Sequence, residues 1–149
     1  MTKVTPWMVH ADGSPIEKFV DNCGGVWDTS PDGKFVIFSQ YSGVPGLYQV
    51  SLDDHKCTPL LTNIPSFVIR FAPDGTSILY LLASRGETTI YRQPWHDGKI
   101  TGPAQPALKL PFAFHQAYAG NAYDFSKDLS TVIYARPGGQ ADLYLLSQK

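Results

Sequence analysis

The stretch SPDGKFVIFSQ at residues 30–40 returns as APDGTSILYLL at 72–82 and, with two changes in its turn, as SKDLSTVIYAR at 126–136. Asp32, Asp74 and Asp128 anchor the three copies. Four residues ahead of each anchor stand Asp28, Arg70 and Asp124, and behind it come Val36-Ile37-Phe38, Ile78-Leu79-Tyr80 and Val132-Ile133-Tyr134. Farther on, each copy carries an aliphatic-Tyr pair: Leu47-Tyr48, Ile90-Tyr91 and Leu143-Tyr144. Several independent columns in register make this an internal repeat, and an internal repeat governs how everything else is read.

Each copy reads as consecutive antiparallel strands. Pro-Asp-Gly is a turn with a mechanism: Pro presets φ, Asp bonds its own backbone and Gly takes the left-handed conformation. It joins a short first strand to a second. Gly43-Val44-Pro45-Gly46, Ser84-Arg85-Gly86-Glu87 and Pro137-Gly138-Gly139-Gln140 supply the next hairpin. After the turn at Leu52-Asp53-Asp54, Thr58-Pro59-Leu60-Leu61-Thr62 makes a fourth strand, and Pro59 places it at a sheet edge. Pro6 to Gly13 resembles the third strand and its turn, and Phe19-Val20-Asp21-Asn22 aligns with Leu60-Leu61-Thr62-Asn63, 41 residues later. The chain therefore divides into two strands at 1–24, full four-strand units at 25–66 and 67–120, and three strands at 121–149. Asp74 and Asp128 lie 54 residues apart, against 42 for Asp32 and Asp74, so a long outer connection belongs to the second full unit. Its fourth strand is expected near Ala107-Leu108-Lys109-Leu110.

The fold class this predicts is all-β, a β-propeller segment of about three and a half four-stranded antiparallel blades. The SPDG, APDG and SKD-L stretches, each followed by an apolar strand, resemble the TolB-like, WD-type β-propeller repeat. Such repeats form the propellers appended to bacterial kinases, winged-helix regulators and prolyl-oligopeptidase-type peptidases. The resemblance covers the chain except about 25 residues, His96 to Asn121. Two departures stand out. Trp27-Asp28 precedes the turn and does not end a third strand, and Lys127 and Leu129 replace Pro and Gly in the last copy.

Composition narrows the function. Twelve Lys and Arg against 13 Asp and Glu leave a net charge of −1, without the basic stripe a nucleic-acid binder needs. No apolar run reaches the length of a membrane helix or a signal peptide, so no direct membrane insertion is expected. As written, the sequence reads as cytoplasmic, or as extracytoplasmic if it belongs to a longer membrane-anchored protein. The pairing of Cys23 and Cys57 is left open: a disulfide needs their Cα atoms within about 7 Å, which sequence does not show, and disulfides are rare in reducing compartments.

Nothing in the sequence has the spacing of a catalytic or metal site. His10, His55, His96 and His115 stand alone, and GxSxG, GxGxxG and phosphate-loop motifs are absent. Asp32 and Asp74 are explained by their turns. No cofactor is expected. The surface candidate is the long connection, whose Trp95, His96, Phe112, Phe114, His115 and Tyr118 are expected to bind a partner, since binding residues concentrate on loops and exposed aromatics are costly. A second set, Asp28, Arg70 and Asp124, shares one repeat column on the first strands and is expected to line the channel.

The functional reading is a non-catalytic binding or sensing module for a protein partner, the C-terminal part of a larger bacterial signalling or regulatory protein. Two alternatives stand beside it. Open blade edges would let two chains complete each other as a homodimer, or the column residues would hold a small polar ligand in the channel of a lactonase- or peptidase-like enzyme.

Overall fold

The computed structural model describes residues 5–21, 24–40, 43–64, 68–84, 86–110, 123–135 and 143–147. Every regular element among them is a strand. A first sheet pairs β1 (Trp7–Met8) with β2 (Glu17–Lys18). The second runs β3 (Gly25–Thr29), β4 (Phe35–Gln40), β5 (Gly46–Ser51), β6 (Cys57–Thr62) in sequence order. The third is β7 (Ile69–Phe71), β8 (Ser77–Ser84) and β9 (Glu87–His96), with β10 (Lys99–Ile100) and β11 (Gln105–Leu110) both paired to the far edge of β9. The fourth is β12 (Tyr123–Phe125), β13 (Thr131–Ala135), β14 (Leu143–Ser147). All pairings are antiparallel between strands close in sequence. Pro59 lies on β6, which among the described residues pairs with β5 alone, as an edge strand allows. The fourth strand of the long unit is β11, and β10 is an element the sequence did not announce.

Strands such as FVIFSQ and SILYLL are apolar at nearly every position because both faces of their sheets are covered. Side chains alternate between faces, so Val36 and Phe38 of β4 pack with Phe19 and Val50 toward the first sheet. Ile37 points the other way and joins Leu47, Ile69, Phe71, Ile78, Tyr80 and Trp95 between the second and third sheets. On β8 the split repeats: Leu79 and Leu81 turn toward Phe125, Leu129 and Val132 of the fourth unit. The described chain is thus a row of sheets with an apolar seam between each neighbouring pair.

The turns follow one device. In the first copy Gly33 has φ 71° and its N–H donates to the Ser30 carbonyl at 2.8 Å, while Asp32 Oδ1 accepts from Lys34 N at 3.1 Å and from Ser30 Oγ at 2.6 Å. Asp12, Asp54, Asp74 and Asp128 accept from the N–H two residues on in the same way. The changed turn keeps this geometry. Leu129 adopts φ 60° in place of glycine, its N–H donating to the Ser126 carbonyl at 2.8 Å, and its side chain is buried in the third seam. Leaving the left-handed region to a leucine costs about 1–2 kcal/mol, which the buried side chain offsets.

Cys57, whose state the sequence leaves open, is disulfide-bonded. The sequence holds one other cysteine, Cys23, which lies outside the described residues.

Candidate functional site

Among the described residues the first strand of each sheet pairs with one strand, so every second N–H on its other edge faces no described strand. Unpaired edge groups must be satisfied or they template association. The column Asp28, Arg70, Asp124 does this work. Asp28 Oδ1 accepts from Thr29 N at 3.0 Å, and Asp124 Oδ1 accepts from Phe125 N at 2.8 Å. Arginine cannot accept, so the matching N–H of Phe71 is taken by Asp28 Oδ2, reaching across from the second sheet at 2.9 Å. Arg70 in turn reaches the fourth sheet, its Nη2 lying 3.0 and 3.1 Å from the two Asp124 oxygens. Lys127 adds a strut from the last turn, with Nζ 3.2 Å from Asp28 Oδ2. The structure brings the three column residues together in one network, each reaching toward a neighbouring sheet, and their charges are matched within it.

A groove of about 390 Å³ opens between the turns of the second and third sheets, lined by Asp32 and Lys34 on one side and by Asp74, Thr76, His96 and Asp97 on the other, above Trp95. The extra residues of the long connection build its wall. They lengthen β9 to ten residues and fold back through Asp97, at φ 42°, and Gly98, at φ 78°, into β10. The hairpin leans on the second sheet. Gln49 Nε2 donates to the Gly98 carbonyl at 2.5 Å, and a Cβ at Gly98 would stand 3.0 Å from the Phe35 ring. Beneath it Trp95 donates through Nε1 to Gln49 Oε1 at 3.1 Å and meets Phe35 and Phe71 edge-on, at ring separations of 5.5 and 4.9 Å.

The groove is acidic by placement and by protonation. The Thr76 backbone N–H holds the Asp74 carboxyl below its ordinary range, and the Ser30 hydroxyl, with the Lys34 N–H, does the same for Asp32. Both are therefore anions at neutral pH. Among the described residues, no group of three or more His, Cys, Asp or Glu stands close enough to hold a metal ion.

Of the residues expected to meet a partner, His96 is exposed on the groove rim. Trp95 is not the open surface aromatic expected from the sequence: it is 3% exposed and seals the seam between two sheets at the floor of the groove. Phe112, Phe114, His115 and Tyr118 lie outside the described residues. Sequence reasoning missed Lys127, Gln49 and Asp97. Lys127 stood in plain view as the residue replacing proline; Gln49 was legible only as a polar interruption of an apolar strand.

Sheets laid side by side, each joined to the next by a repeated unit, define a β-propeller. The particular likeness is to TolB from Acinetobacter baumannii, which is similar over 89% of this chain and 32% of its own length, with 22% identity and a TM-score of 0.58. The β-propeller domain of the trilobed protease from Pyrococcus furiosus matches over 97% of this chain and 46% of its own, at 13% identity and TM-score 0.58. Pyrococcus horikoshii acylaminoacyl peptidase matches over 91% of this chain and 25% of its own, at 14% identity and TM-score 0.54. The chain thus spans less than half the length of each of these three structures, and its fold is that of a TolB-like β-propeller. No protein-family model matches the sequence, and no curated protein matches it.

Proposed function

We propose that this chain is a non-catalytic propeller module that binds a protein partner, taking a cationic segment of that partner into the groove between the second and third sheets. The observation that carries the reading is the groove itself, about 390 Å³ with Asp32, Asp74 and Asp97 facing one lysine, Lys34. Asp32 and Asp74 are fixed by backbone bonds and held ionised, so they offer charge and not proton transfer, for which a carboxyl pushed up toward neutrality is needed. Lys34 is 3.9 Å from Asp32 and neutralises only part of the rim. His96 stands beside Asp97 to extend the contact.

The test is calorimetric titration with a penta-arginine peptide at low and at physiological salt. Saturable binding should weaken as salt rises. The triple variant Asp32→Asn, Asp74→Asn, Asp97→Asn keeps the turn acceptors and removes the charge, and should bind about tenfold more weakly. Equal binding by variant and wild type would place recognition elsewhere.

A further inference from the structure

A histidine stands at the turn that follows β1, β5 and β9: His10, His55 and His96. Two of them are engaged within the first and second sheets. The His10 ring lies 3.2 Å from Glu17 Oε1, and His55 meets the Phe19 ring edge-on at 5.2 Å. His96 is placed differently, exposed on the wall of the groove.

Charged groups surround it from every element that walls the groove. Asp97 follows it on its own hairpin, and Lys99 is its cross-strand partner. Asp74 stands on the first turn of the same sheet, and Asp32 and Lys34 line the opposite side. Three carboxylates against Lys34 leave the lining with two negative charges in excess, so one proton on His96 removes half of that excess. Asp32 and Asp74, held ionised by their turn donors, keep their charge across the range in which histidine titrates, about pH 5 to 8. Directly opposed residues share a face and like charges there repel. An imidazolium at position 96 is therefore pushed from Lys99 and drawn to the carboxylates of the groove.

We infer that the groove is proton-linked: a proton on His96 and the cationic segment of the partner compete for the same carboxylates, so the segment is held above neutrality and released as the medium acidifies. This rests on the groove as the partner's site and adds how that site is controlled. Linkage runs both ways. A bound cation disfavours the imidazolium, so binding at intermediate pH expels protons.

Calorimetric titration of the full chain with penta-arginine at low salt tests this, since arginine stays charged throughout. Wild type should bind about threefold more weakly at about pH 5.5 than at about pH 8. Near pH 6.5, the ordinary midpoint of histidine, the observed enthalpy should vary with the ionisation enthalpy of the buffer, which reads the released protons. His96→Gln, whatever its affinity, should bind alike at the two pH values and lose the buffer dependence. His96→Lys carries the charge at both, and should bind at the higher pH as weakly as wild type does at the lower. The double variant His10→Gln, His55→Gln should keep the pH response, and circular dichroism verifies that each variant folds. A wild-type affinity indifferent to pH, or a pH response that survives in His96→Gln, would overturn the inference and leave the groove as the partner's site. No binding at about pH 8 would overturn both.

Discussion

The seam between the second and third sheets and the seam between the third and fourth obey one repeat, yet they are closed by different means. The former is aromatic: Phe71 and Trp95 lie inside it with Phe35 at its margin, Gln49 ties Trp95 to the opposite sheet, and the β9–β10 hairpin covers one end. The latter is aliphatic except for Phe125, and its turn contributes Leu129. Charges that span it, Arg70 to Asp124, are exposed on the carboxylate side at 58%. Exposed pairs of this kind stabilise by about 0–1 kcal/mol. What the comparison teaches is that the repeat fixes strand register and facing, while the strength of each seam is set by residues where the copies differ.

The largest break in that comparison is Trp95→Ala. It removes the largest side chain of the aromatic seam and strands Gln49 Oε1, and it should cost about 4 kcal/mol. Set against a total of about 5–15 kcal/mol for a domain, this is a near-unfolding change, read as a drop in the urea midpoint. Substitution on the aliphatic seam at Leu81 or Val132, where smaller volumes are lost, should cost less. A Trp95→Ala protein as stable as wild type would contradict the assignment of that seam as the stronger one.

This difference also marks where the sequence was legible and where it was not. Ile37 and Leu79 announce themselves by spacing, because two covered faces require apolar residues in unbroken runs. The strands and turns follow from them. The hairpin at Asp97-Gly98 reads locally as a turn, but its lean toward Phe35 and Gln49 depends on contacts some 50 residues away in sequence, which local pattern does not carry. The column was visible as Asp28, Arg70 and Asp124. Its task was not, since capping depends on which edge N–H groups the register leaves unpaired.

Asp28 bridges the two seams and provides the second prediction. Asp28→Ala would leave the Phe71 N–H without its acceptor and release Lys127, at a cost of about 2 kcal/mol. Asp28→Asn keeps one oxygen for the Phe71 N–H but loses the charge and the second acceptor, which serves the Thr29 N–H, so it should cost about 1 kcal/mol, less than Asp28→Ala. Thermal melts of the two variants at matched salt separate the Phe71 cap from the rest. Equal losses would mean that the Phe71 cap adds nothing beyond the charge and the Thr29 acceptor.

Leu129 sharpens the contrast between an orthodox and an altered turn. Leu129→Gly relieves about 1 kcal/mol of left-handed strain but removes about 2.5 kcal/mol of buried contact, for a net loss near 1.5 kcal/mol. Gly33, at φ 71° with open space around it, behaves oppositely: Gly33→Leu gains no seam and pays the backbone strain alone, about 1–2 kcal/mol. Both substitutions should therefore destabilise, though they are chemical inverses. Stabilisation by Leu129→Gly would show that its burial contributes less than its strain.

The smallest effect is electrostatic and is read in acid. Hydrogen bonds from Ser126 and Ser130 lower the Asp128 carboxyl to about 2 from 3.8, and Asp12, Asp32, Asp54 and Asp74 are lowered by their own turn donors. A carboxyl whose folded pKa lies below its unfolded value binds fewer protons folded than unfolded. Its contribution is present above about pH 4 and is lost as pH falls through the folded value near 2. Stability should hold from neutrality down to about pH 4 and then decline. Asp128→Asn keeps an acceptor for the Ser130 N–H but no longer titrates, so its melting temperature should fall less steeply between pH 4 and 2 than that of wild type. Because the group is exposed and one of five, the change in slope should be modest, and an identical slope would show that the turn hydrogen bonds do not survive in solution as drawn.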